Sequence, residues 1–76
     1  MNENPNVETS KSQNQMILAW LKSGKGITQL EAAQAPILCW RLGARIWDLR
    51  NAGHKIKTEK IQVASGKYVA RYILVE

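Results

Sequence analysis

Arg41 and Arg45 stand four residues apart among Trp40, Ala44 and Trp47. A guanidinium forks onto guanine O6 and N7 or onto a phosphate. The indoles offer flat apolar faces that suit a sugar, a thymine methyl, the edge of a core or a packed chain terminus. If the segment is helical, Leu38, Leu42, Ile46 and Leu49 form one stripe, while Trp40, Ala44, Trp47 and Asn51 point to the opposite side. Arg41, Arg45 and Asp48 line one flank, Gly43 and Arg50 the other. Arg45 also has a simpler option, an intrahelical ion pair with Asp48 three residues on.

A second group sits earlier. Thr28-Gln29-Leu30-Glu31 is a capping box, and Ile27 before it is placed to pack on Ala32 as a hydrophobic staple. A helix that starts here aims free amides outward, so Thr28 and Gln29 are candidates for a phosphate contact. Lys67, with Lys25, Lys57 and Lys60, supplies further attraction for phosphates.

Covalent chemistry finds little support. Glu31, Asp48 and Glu59 form no paired-carboxylate arrangement, and Cys39 and His54 are separated by a helix, neither with an orienting partner. Ser23-Gly24-Lys25-Gly26 lacks the earlier glycine, the hydroxyl residue after lysine and the preceding strand of a phosphate-binding loop. Cys39 reads as a small buried residue. The expectation is a protein that is not an enzyme and uses no cofactor, metal or small-molecule substrate.

Charge narrows the partner. The chain of 76 residues carries +5, and residues 9–75 hold eleven cations against three carboxylates, a local net of +8. Such a surface is drawn to polyanions. The length allows one small domain. One cysteine and one histidine exclude an intrachain disulfide and a four-ligand zinc site. No apolar run approaches the ~20 residues of a membrane span, and the first residues lack a secretion signal, so a soluble cytoplasmic protein is expected.

The elements that must position these side chains follow from pattern. Residues 1–10 read as a flexible tail and 11–76 as the domain. A first helix is expected from near Ser12, capped by Ser12-Gln13-Asn14-Gln15, with Ile17 and Leu21 at the centre of its apolar face and Gly24 and Gly26 ending it. A second helix is expected over 29–34, stopped by Ala35-Pro36. A third begins at 37 or 38 and runs to 52, with Gly53 as the stop. Strands over 55–63 and 67–75, joined by Ala64-Ser65-Gly66, form a hairpin. Both faces of the second strand carry apolar groups, and Ile56 is out of phase with Ile61 and Val63, which suggests a bulge or a late start to pairing.

Three helices followed by a two-stranded β-hairpin wing is the order of an α+β winged helix-turn-helix domain. The chain also resembles the small winged helix-turn-helix proteins encoded by phages and prophages. The resemblance rests on residues 27–32, on Arg41 to Arg50, on Gly53-His54 with Ile56 and Thr58-Glu59, and on Gly66-Lys67 with Val69-Ala70-Arg71-Tyr72. It covers most of residues 12–75 and implies a winged-helix fold and DNA binding, although the stretch 34–40, with Pro36, is longer than usual. The expected function is double-stranded-DNA binding by a small regulatory or architectural accessory factor of phage or prophage origin. Contacts are expected from Thr28, Gln29, Trp40, Arg41, Ala44, Arg45, Trp47 and Lys67. One module offers few base contacts, so a homodimer is a candidate partner state. The competing class is a protein-binding module, such as a phage inhibitor of a host factor, that turns Trp40, Trp47 and the basic face to an acidic protein surface. RNA ranks third, since no aromatic-bearing sheet motif of the usual kind occurs.

Overall fold

The computed structural model describes residues 5–76, with side chains from residue 11. Helix α1 spans Pro5–Lys22, β1 Ile27–Thr28, α2 Gln29–Ala32, α3 Leu42–Asn51, β2 Ile56–Gln62 and β3 Tyr68–Leu74.

Helix α1 starts at Pro5, a residue whose fixed φ suits the first helical position. Ser12 therefore lies inside the helix, and the expected capping box does not form. Its polar residues serve as bridges instead: Gln13 donates to the Leu38 carbonyl (3.1 Å) and Asn14 to the Asp48 carboxylate (3.4 Å). Of the expected tail, residues 1–4 lie outside the described residues and residues 5–10 are helical backbone. Ile17 and Leu21 are buried as their spacing predicts, and the Trp20 indole N–H donates to the Gly26 carbonyl (2.9 Å).

The Thr28–Glu31 capping box forms in both directions. The Glu31 N–H donates to the Thr28 hydroxyl oxygen, and the Thr28 N–H to the Glu31 carboxylate (2.9 Å). Helix α2 is shorter than the expected 29–34. Its Ala32 carbonyl accepts from Cys39 N–H (2.7 Å), which folds the chain back after a cis Ala35–Pro36 bond. The third helix correspondingly begins at Leu42, not at 37 or 38. Leu38 adopts φ +53°, incompatible with a right-handed helix, and is exposed rather than part of the core stripe. The Gln29 side chain then holds the re-entry point, donating to the Cys39 carbonyl (2.7 Å) and accepting from Leu42 N–H (2.9 Å). Gly53, at φ +104°, stops α3, and His54 N–H closes back onto the Leu49 carbonyl (3.1 Å).

The sheet has three antiparallel strands in the order β1-β3-β2, not the two of a simple hairpin. The third comes from Ile27–Thr28, which is extended just before the capping box and pairs with Tyr72 and Arg71. The β2–β3 register is unbroken from Ile56↔Leu74 to Gln62↔Tyr68, so neither the expected bulge nor a late start to pairing occurs. The phase conflict resolves by position along the wing. Ile56, Tyr72, Leu74 and Ile27 share the face that covers the helices, whereas Ile61 and Val63, farther out, share the opposite face with Val69. Ile17, Leu21, Ile27, Ala32, Ile37, Cys39, Leu42, Ile46, Leu49 and Ile56 form one buried cluster. Gly26 is required where Arg71 crosses it, since a Cβ there would lie 2.9 Å from the Arg71 side chain.

Neighbouring positions on α3 should separate core from surface. Ile46→Ala empties a fully enclosed site and is expected to cost about 2–5 kcal/mol; Trp47→Ala should stay within about 0.5 kcal/mol. Urea unfolding followed by circular dichroism checks both.

At the other end, His54 Nδ1 lies 2.9 Å from Glu76 Oε1. This hydrogen bond holds the Glu76 carboxyl below its ordinary value of 4.5 against the opposing effect of desolvation, aided by one from Lys55 N–H and by the nearby His54 and Lys22 charges. The group is depressed in the folded state, so any stabilisation is present above pH 4.5 and fades as pH falls through the lower folded midpoint. An NMR titration should find the Glu76 midpoint below 4.5 and, in His54→Ala, higher than in the parent.

Candidate nucleic-acid interface

Helix α3 turns Leu42, Ile46 and Leu49 inward, and its outer side carries Trp47, Asn51 and a half-buried Ala44. Trp47 is 66% exposed. Trp40, 75% exposed, and Arg41 precede the helix because the helix starts late. Arg41 is the residue at the helix entry, yet its side chain makes no capping hydrogen bond. Among the described residues no ion pair or hydrogen bond engages its guanidinium. The two tryptophans are thus neither core nor cover for the described part of α1.

The remaining expected contacts divide. Lys67 is exposed at the wing tip beside Gly66, whose φ of +89° makes the turn. Arg45 is turned toward Asp48, with Nε 3.2 Å from Oδ2 and only 18% of the side chain exposed. That is the simpler of its two options, and it separates Arg45 from Arg41. The Thr28 hydroxyl is committed to its capping box and the Gln29 amide to Cys39 and Leu42. Both position the interface from within rather than extend a side chain to it.

Two residues escape a reading of the sequence alone. Arg50 donates to the Ile56 carbonyl (2.8 and 3.1 Å) and to Thr58 Oγ1 (3.0 Å), and its guanidinium lies 6.0 Å from the Tyr72 ring centre. It locks the angle between α3 and the wing. Tyr68, 66% exposed, shares a wing face with Lys60 and Gln62. The strand register reveals this, and register could not be read while the phase of Ile56 was unresolved.

Electrostatics sharpen the contrast. Glu31 is held by Thr28, Asp48 by Arg45 and Asn14, Glu59 by Arg71 at 2.6 Å, and Glu76 by His54. Each carboxylate from residue 11 onward therefore has an internal partner, while Arg41, Lys57, Lys60 and Lys67 are exposed. Cys39 is buried and His54 is paired with Glu76. Among the described residues no group of three or more His, Cys, Asp or Glu side chains could hold a metal ion, and no helix is long and apolar enough to cross a membrane.

This arrangement agrees with a comparison of families, in which the model described as winged helix-turn-helix domain matches residues 12–76. No curated protein and no solved structure matches the chain. With its three helices, its antiparallel wing and a match over most of its length, the chain belongs to the winged helix-turn-helix domain family.

Proposed function

We propose that the protein binds double-stranded DNA as a small regulatory or architectural accessory factor in the cytoplasm, of the kind that phages and prophages encode, and that it works by binding rather than by catalysis. The observation that carries this reading is the exposed Arg41 guanidinium, which has no partner among the described residues and stands beside Trp40 at the head of α3. In this fold the third helix faces the major groove, and the wing lies along neighbouring phosphates. Arg41 is suited to a guanine edge or a phosphate, Trp40 and Trp47 to sugar or methyl surfaces, Ala44 to close approach, and Lys67 to the backbone. Arg45 contributes by fixing Asp48, so its own contact with DNA is subordinate. Thr28 and Gln29 hold the backbone that presents these groups.

The exposure of both tryptophans also supports a second reading, in which the same face docks on an acidic host protein. The two differ in their response to salt. A DNA interface that neutralises about five phosphates should lose affinity with a slope of log K on log salt of about −4 to −5.

Fluorescence anisotropy on random duplex DNA, repeated across salt concentrations, tests the proposal. Arg41→Ala should weaken binding about three- to tenfold and reduce the slope by about one, Lys67→Ala should reduce the slope similarly, and Arg45→Ala should do less. Undetectable binding at low salt, or indifference to both Arg41→Ala and Lys67→Ala, contradicts the DNA reading. Tight capture of one host protein with little salt dependence favours the second.

A further inference from the structure

The β2–β3 ladder determines which backbone groups of β3 face outward. Val63 N–H donates to the Lys67 carbonyl (2.9 Å) and Val75 N–H to the Lys55 carbonyl (2.8 Å), with an unbroken register between them. Bonded positions alternate in an antiparallel pair. Val69, Arg71 and Ile73 therefore turn their N–H and C=O groups toward β2, and Tyr68, Ala70 and Tyr72 turn theirs to the opposite edge. Strand β1 covers that edge at Tyr72 and Arg71, then leaves it as the chain enters α2 at Gln29. Among the described residues, no strand lies beside Tyr68 and Ala70 on this edge.

Next to the open edge is a groove of about 540 Å³, lined by Leu30 of α2 and by Ile61, Val63, Val69 and Ala70 of the wing. Leu30 is 73% exposed although it belongs to a helix of the domain. An open strand edge beside bare apolar side chains is the geometry that receives an added strand: the backbone supplies hydrogen bonds and the groove takes alternate side chains.

Charge selects the occupant. Arg71 lines the groove but is paired with Glu59, so the cations left for an occupant are Lys67 and Lys25, next in sequence to the edge residue Tyr68 and the lining residue Gly26. Glu31, an acidic residue of the lining, has its carboxylate held by the Thr28 N–H. A second copy of this chain would bring another +5 to the same edge, whereas an acidic segment is complementary. We propose that the β3 edge and its groove receive an extended acidic segment of a partner protein, which pairs beside Ala70 and seats alternate branched apolar side chains against Leu30, Ile61, Val63 and Val69. The site shares Lys67 with the proposed DNA surface but does not depend on that reading, and its test contains no DNA.

The probe is a blocked seven-residue peptide alternating glutamate and valine, titrated into the full chain labelled with nitrogen-15, beside a peptide with lysine in place of glutamate. The acidic peptide is expected to shift the amides of Tyr68, Val69, Ala70 and Leu30 and to slow hydrogen exchange at Ala70. The lysine peptide is expected to bind at least about tenfold more weakly, and the difference should shrink in high salt. Leu30→Glu, an exposed position, should weaken the acidic peptide by at least about tenfold. Ala70→Pro should do the same, since it removes an edge donor that β2 does not use. If Ala70→Pro fails to fold, Leu30→Glu decides. No shifts at millimolar peptide, equal binding of both peptides, or shifts that grow with protein concentration alone as the chain self-associates would each overturn the proposal.

Discussion

The Gln29 amide, bonded to the Cys39 carbonyl and to Leu42 N–H, determines where the chain regains helical geometry after Pro36, and so which residues stand outside the helix. If α3 ran back to residue 38, Trp40 and Arg41 would be spaced along a regular helical face. With the helix beginning at Leu42, they project from an irregular segment just before it. A buried backbone group left without this partner would cost about 1–3 kcal/mol, so a neutral side chain governs the placement of the charged one. Gln29 can do this because the capping box of Thr28 and Glu31 orients the first residue of α2.

The same economy of polar contacts shapes the electrostatics. Asp48 draws Arg45 in and ties α3 to α1 through Asn14; Glu59 draws Arg71 across Gly26 and ties the outer face of the sheet together. With the side-chain carboxylates from residue 11 onward occupied in this way, the fold leaves the surplus positive charge of that region on the surface. A cationic surface on a rigid three-helix and wing frame is suited to a stiff, regularly spaced polyanion.

Much of this was legible because local rules and packing agree. The capping box, the inward stripe of Leu42, Ile46 and Leu49, the glycine stop at Gly53 and the burial of Ile17 and Leu21 all follow from spacing. The differences arise where a tertiary contact overrides a local signal. Ser12 reads as a cap, but Gln13 and Asn14 find partners in the loop and in α3 instead. Leu38 fits a helical stripe, but Pro36 and the Cys39–Ala32 bond turn it outward. Ile27–Thr28 is too short to read as a strand and becomes one only because β3 lies beside it. At the interface, residue type was informative and residue availability only partly so: the spacing offers Asp48 to Arg45 as an alternative to DNA, and only the fold shows that Arg45 takes it.

On the proposed function, duplex DNA meets the exposed segment from Trp40 to Arg41, with Trp47 on α3 and Lys67 on the wing. Nitrogen-15 spectra recorded during titration with a short duplex at low salt test it most directly. The indole signals of Trp40 and Trp47 and the amides of Arg41, Ala44 and Lys67 are expected to move first and furthest, while those of Ile17 and Cys39 in the core remain in place. Absence of any shift, or shifts confined to α1 away from these residues, would contradict it.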